Sequence, residues 1–140
     1  MDDKRTVYVG TIADAPLNGP YGPAARRPQL VIACSNGDLW VTIFAETKIG
    51  TGLTDSYLVR LRYDGGQRYL EHWYGDEDVL EPKDRAAFIR RLVGTSRFLI
   101  EAQVVGTTAG QYMAFDTAGL ANVIGVVAEE GCKVPALGSG

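Results

Sequence analysis

Apolar and polar positions alternate along most of this chain in short runs cut by glycine and proline, a period of two rather than 3.6. Residues 6–12 (TVYVGTI) alternate and are rich in β-branched side chains, which predicts a first strand. Residues 29–35 (QLVIACS) and 39–46 (LWVTIFAE) flank Asn36-Gly37-Asp38, where Asn and Gly tolerate positive φ, so the pair reads as a hairpin. In its second arm Leu39, Val41, Ile43 and Ala45 share one face, leaving Trp40, Thr42 and Phe44 on the other.

Residues 56–74 (SYLVRLRYDGGQRYLEHWY) predict a second hairpin whose register is argued from charge. With Gly65-Gly66 as a two-residue loop, Arg60 lies opposite Glu71, Arg62 opposite Tyr69 and Leu61 opposite Leu70. A loop longer by one residue opposes Arg62 to Arg68 and Val59 to Glu71, so the shorter loop is preferred. Tyr57, Val59, Leu61, Tyr63, Leu70, His72 and Tyr74 then share one face, with Arg60, Arg62 and Glu71 on the wet one. Residues 97–105 (RFLIEAQVV) and 111–115 (QYMAF), joined through the turn 107–110 (TTAG), make a third hairpin.

The period changes to 3.6 twice. In residues 82–93 (PKDRAAFIRRLV) Pro82 suits the first helical position, Phe88, Ile89 and Leu92 form an apolar stripe, and Gly94 suits a left-handed cap. Lys83, Arg85, Arg90 and Arg91 fall mostly off that stripe and read as a solvated basic face. Asp116 or Thr117 caps a second helix over 118–130, where Leu120, Val123, Ile124 and Val127 recur at helical spacing. Residues 13–28 hold four prolines and two glycines and read as a surface loop, either a connector or a binding loop with Tyr21, Arg26 and Arg27 at its rim. Residues 133–140 read as a short flexible tail. The expected fold is α+β, one domain over 1–140: an antiparallel sheet of about seven strands in hairpins, sandwich-like or strongly curved, with two packing helices.

At 140 residues the chain is long enough to bury a core without a staple. Its 46% hydrophobic and 22% charged residues are ordinary for a globular chain. The net charge of −3 arises from 14 basic and 17 acidic residues well mixed along the sequence, without the basic stripe of a nucleic-acid binder. No apolar run approaches the roughly 18 residues that cross a bilayer, so no membrane insertion is expected. Met1-Asp2-Asp3-Lys4-Arg5 lacks the apolar core of a signal peptide, which points to cytoplasm or virion; removal of an export signal would point to the periplasm or cell envelope.

Catalytic constellations are hard to assemble from this sequence. His72 is the one histidine, and Cys34 and Cys132 are far too separated for the close ligand spacing of structural zinc. Cys34 with His72 and an acid lacks any flanking motif of a thiol hydrolase. Asp76, Glu77 and Asp78 lack the alternating ligands and closing glutamate of a calcium loop, and Gly50-Thr51-Gly52 lacks the lysine of a phosphate loop. The expectation is a chain that is not an enzyme and takes no cofactor or metal. Trp40, Trp73 and Tyr69 are the expected contact residues for a partner; a small-ligand or glycan-binding platform of Trp40 or Trp73 with Arg60 and Arg62 is the alternative. Cys34 and Cys132 read either as a bridge tying the C-terminal region to the sheet or as two separate buried thiols.

In order along the chain, PQLVIACSNGDLWVTI, YLVRLRYDGGQRYLEHW, AAFIRRL, MAFDTAGL and EEGC resemble the VasI-like proteins associated with type VI secretion. Members look like a strand ending in cysteine, an Arg-bearing strand with an Asp-Gly turn and a Trp-bearing return strand, a Phe-Asp-x-x-Gly-Leu segment opening a last helix, and a closing cysteine. The resemblance covers residues 29–132. It implies a non-catalytic accessory protein of a phage-like contractile assembly, usually exported to the cell envelope, with Cys34 and Cys132 suited to pairing. It implies a protein partner in that secretion or phage-like assembly, or a homo-oligomer, and a phage virion or host-interaction protein of the same fold fits the sequence too. The Pro-rich loop 13–28 and the front of the chain depart from the family pattern.

Overall fold

A computed structural model of the chain describes residues 7–35, 37–49, 56–107 and 110–120, together with 122 and 124. The seven expected strands are present as β1 (Val7–Ile12), β4 (Gln29–Ser35), β5 (Asp38–Phe44), β6 (Ser56–Tyr63), β7 (Arg68–Asp76), β9 (Arg97–Gln103) and β10 (Gly110–Asp116). They are joined by β8 (Val79–Glu81) into one eight-stranded sheet of order β1-β4-β5-β8-β7-β6-β9-β10, antiparallel at every step. The segment 13–28 is folded rather than a simple loop: β2 (Asn18–Gly19) and β3 (Gly22–Pro23) form a small hairpin, and Ala13, Leu17 and Pro28 are buried.

The sheet curls until its two ends meet. Between β1 and β10 the seam carries a backbone bond from Asp14 N–H to the Ala114 carbonyl at 3.1 Å. The Gln111 amide then takes the place of a strand, accepting from Asn18 N–H and donating to the Asn18 carbonyl, both at 2.7 Å. Arg97 pairs with Asp14 across the same seam. Side chains thus close most of the gap that a ladder closes in a regular barrel, leaving little free sheet edge there. The concave face holds the core, including Leu30, Ile43, Leu61, Ile100 and Phe115.

On the far side the sheet splays. β8 pairs with β5 through Ile43 and Phe44, and with β7 through Tyr74–Asp76. Beyond these points Asp38–Thr42 of β5 and Arg68–Trp73 of β7 have no strand between them among the described residues. Helix α1 (Arg85–Val93) fills that wedge. Phe88 meets Trp73 edge-on at 4.9 Å and Phe98 at 5.2 Å, while Phe88, Ile89 and Leu92 are buried as their spacing predicts. At the β5 side, Arg85 donates to the Leu39 carbonyl at 3.3 Å and its guanidinium lies 3.8 Å above the Trp40 ring.

Both ends of α1 differ from expectation. Asp84, not Pro82, defines the start: its carboxylate accepts from Ala87 N–H at 3.0 Å, an N-cap worth about 1 kcal/mol, and Pro82 is buried before the helix. Gly94 has φ −89°, so the end is not left-handed; the Thr95 hydroxyl donates to the Arg91 carbonyl at 2.7 Å instead. Of the second predicted helix, residues 120, 122 and 124 are helical, with Leu120 and Ile124 buried. The remainder of that helix and the tail 133–140 lie outside the described residues.

The 56–74 hairpin adopts the register that charge pairing disfavours. Val59 faces Glu71, Arg60 faces Leu70, Leu61 faces Tyr69 and Arg62 faces Arg68. The turn, not the strands, explains this. Asp64 (φ 50°) and Gly65 (φ 70°) take the two left-handed positions, and Gly66 N–H donates to the Tyr63 carbonyl at 2.9 Å. The Asp64 carboxylate accepts from the Ser96 and Arg97 amides, each at 2.9 Å, tying the turn to the start of β9. Two charge-assisted bonds of roughly 1.5–3 kcal/mol each outweigh a cross-strand ion pair of at most about 1 kcal/mol. Arg60 finds its carboxylate in Glu101 on β9 at 3.2 Å, and Arg62 turns away from Arg68 to donate to the Gly66 carbonyl at 2.9 Å.

Candidate functional site

A one-residue change of register moves every side chain of a strand to the opposite face. Trp73 therefore faces Tyr57 and lies in the core, 0% exposed, with its indole N–H donating to Glu71 at 3.1 Å. It is not a surface contact or a sugar platform. Gly75 also turns inward, and the Tyr57 ring fills the space over it: a Cβ there would sit 2.0 Å from the ring. Leu70, His72 and Tyr74, expected inside, are exposed.

The outer face of β6 and β7 is built from the pairs Ser56–Tyr74, Leu58–His72 and Arg60–Leu70. Leu58 sits diagonal to both Leu70 and Tyr74, about 7–8 Å away in such a ladder. These three are 52%, 61% and 55% exposed, and together they make an apolar patch on a rigid sheet. Lys83 lies over the Tyr74 ring at 5.4 Å and donates to the Ser56 hydroxyl at 3.3 Å. Toward β9 the patch is bordered by the Arg60–Glu101 pair, and Tyr112 on β10 lies directly across from Glu101.

Beside the patch, between α1 and β7, a cleft of about 400 Å³ is lined by Tyr63, Glu71, His72, Lys83, Asp84, Ala87, Phe88 and Arg91. Arg91 reaches Glu71 at 3.4 Å and covers the ring of Tyr69 at 5.1 Å. The Tyr63 hydroxyl is buried with no hydrogen-bond partner among the described residues. The Arg91 guanidinium lies near it but outside bonding geometry, and burial pushes the phenol up to about 12.

The other expected contact residues scatter over the molecule. Trp40 is half-exposed on the outer face of β5 under Arg85, and Tyr69 packs edge-on to Tyr63 at 6.0 Å beneath Arg91. Arg60 and Arg62 lie on the outer face of β6. Tyr21, fully exposed, stands at the tip of the β2–β3 hairpin, with Arg26 and Arg27 exposed after it. Asp76, Glu77 and Asp78 form the tight β7–β8 turn, with Glu77 at φ 55°. Cys34 is buried on β4 and disulfide-bonded; Cys132, the chain's other cysteine, lies outside the described residues. Leu58, Leu70 and Tyr74 escaped sequence reasoning because the chosen register turned Leu70 and Tyr74 inward. The signal that finds them is a three-residue loop, Asp64-Gly65-Gly66, with Asp64 and Gly65 at its left-handed positions.

No protein-family model, curated protein or solved structure matches this chain.

Proposed function

We propose that this chain is a non-catalytic accessory protein that binds another protein through the outer face of β6 and β7. The observation that carries this reading is the adjacency of Leu58, Leu70 and Tyr74, exposed together on a sheet whose opposite face is anchored in the core. Isolated surface leucines are ordinary, whereas three apolar side chains side by side mark a contact surface. Tyr74 is the expected anchor, since large amphipathic rings concentrate binding energy at interfaces. The ordered motifs shared with VasI-like proteins favour a component of a contractile secretion or phage-like assembly as the partner, with a second copy of the chain as the competing occupant. A virion or host-interaction protein uses the same face and differs in the compartment where Cys34 forms its bond.

The test is affinity capture by the full chain from cells that carry such an assembly, comparing wild type with the double substitution Leu58→Glu and Leu70→Glu. Both positions are solvent-facing, so the variant retains its fold. Recovery of a tube, sheath or baseplate component by wild type and its loss in the variant is the expected result. Equal recovery by both proteins, or none by either, refutes the reading.

A further inference from the structure

We infer that the partner docks on β6 and β7 through a segment that is acidic at one end, its carboxylates on Arg62 and Arg68 and its apolar side chains over Leu58, Leu70 and Tyr74. This rests on the protein-binding reading above and names the chemistry of the partner. Arg62 and Arg68 stand directly opposite each other across the β6–β7 ladder, a placement in which like charges destabilise a sheet. Arg60 shares their face, two residues along β6 from Arg62 and diagonal to Arg68. Of the three, Arg60 alone forms an ion pair, with Glu101. Arg62 spends its Nε on the Gly66 carbonyl, and the exposed Arg68 has no acceptor among the described residues.

The neighbouring charges leave that pair unanswered. Arg97, the next cation, faces Asp14 and Asp116. Asp64 lies in the adjoining turn with its Oδ1 held by the Ser96 and Arg97 amides. Counting it, Arg60, Arg62 and Arg68 still exceed Glu101 and Asp64 by one charge. The far end of the face has the other sign: Asp76 lies beyond Tyr74 on β7 and Glu81 opposite it on β8, with Lys83 beside them. The acidic end of the segment is thereby directed to the turn and its apolar part to the middle of the face. Because β6 is laddered to both β7 and β9, its backbone offers no edge, and side chains must supply recognition. An RNA would set phosphates near Glu101, Asp76 and Glu81 and leave the leucines uncovered, so a protein segment fits better.

The probe is a blocked peptide of two aspartates followed by alternating leucine and threonine, with a twin in which lysines replace the aspartates. Each is titrated into the full chain and followed by the backbone amide resonances of β6 and β7. The aspartate peptide should give a saturable shift with a dissociation constant on the order of 1 mM, and its twin should bind at least about tenfold more weakly. Raising salt to about 0.5 M should weaken the aspartate peptide severalfold. Arg68→Glu, at an exposed position, should reverse the preference between the twins, whereas Leu70→Glu should weaken the aspartate peptide without making the twin the tighter ligand. The inference is overturned by equal binding of the twins, by no saturable shift, or by a preference unchanged in Arg68→Glu. It is overturned too if a short RNA binds at least as tightly as the aspartate peptide, or if sedimentation shows a dimer that Arg68→Glu disperses, which would give the face to a second copy. Capture from cells separates the two readings: a partner lost with Leu58→Glu and Leu70→Glu but held equally by Arg68→Glu keeps the contact face and refutes its acidic occupant.

Discussion

Single residues decide where this chain departs from its own pattern. Asp64 is the clearest case: its backbone takes the left-handed position, its N–H bonds to the Arg97 carbonyl at 2.8 Å, and its carboxylate holds the Ser96 and Arg97 amides. Asp64→Ala should destabilise the protein by about 1–2 kcal/mol, measured by urea unfolding, because the Ser96 and Arg97 amides lose an ionised acceptor. A loss below about 0.5 kcal/mol would show that the turn does not depend on it. Tyr63 acts in the other direction. Since its hydroxyl has no hydrogen-bond partner among the described residues, Tyr63→Phe should leave stability unchanged or raise it by up to about 1 kcal/mol. Its folded pKa of about 12 lies above the ordinary value of 10.0, so the fold favours the protonated phenol. The resulting stability is whole below pH 10 and drains away as pH climbs toward 12. In an absorbance titration at high pH, one of the seven tyrosines should ionise late, and Tyr63→Phe should remove that late step.

At the scale of elements, what the sequence made legible was periodicity, and what it hid was contact between segments distant in the chain. Seven strands and the buried stripe of α1 follow from alternation at two and at 3.6, because those periods report directly which face is dry. In the second arm of the first hairpin the four residues expected to share one face, Leu39, Val41, Ile43 and Ala45, are all buried. The next hairpin failed because the local charge count ignored β9: Arg60 had a carboxylate available in Glu101, outside the hairpin. β8 was invisible for a similar reason, being three residues that pair on both edges yet carry no periodicity of their own. The β2–β3 segment looked like a loop since its prolines and glycines mask its buried anchors, Ala13 and Leu17. The candidate site inherited these errors: of the three aromatics expected at the surface, Trp40 and Tyr69 are exposed while Trp73 is buried. Cross-strand nuclear Overhauser contacts should pair Arg60 with Leu70 and Val59 with Glu71; contacts of Arg60 with Glu71 instead would restore the shorter loop.

As a whole molecule, the chain is a nearly closed antiparallel sheet with two unlike weak points: a seam stitched by Gln111, Asp14 and Arg97, and a wedge held open by α1. The patch and the cleft both lie beside the wedge, where His72 and Lys83 belong to each. No helix among the described residues is long and apolar enough to cross a membrane. Cys34 fixes the sheet to whatever carries its disulfide partner, and we propose Cys132. Closing so long a loop contributes on the order of 4–5 kcal/mol in the chain-entropy view, so reduction should lower the unfolding midpoint sharply while leaving a monomer. A mixed disulfide between two chains, seen as a dimer mass that reductant halves, would contradict that pairing. The central claim remains that β6 and β7 present their outer face to another protein. The measurement that tests it most directly is photo-crosslinking with a benzophenone amino acid placed at Leu70, compared with the same probe at Tyr21 on the β2–β3 tip. A strong adduct from Leu70 to a single component of the proposed contractile assembly, with none from Tyr21, is the predicted result; adducts from Tyr21 alone, or from neither position, would contradict it.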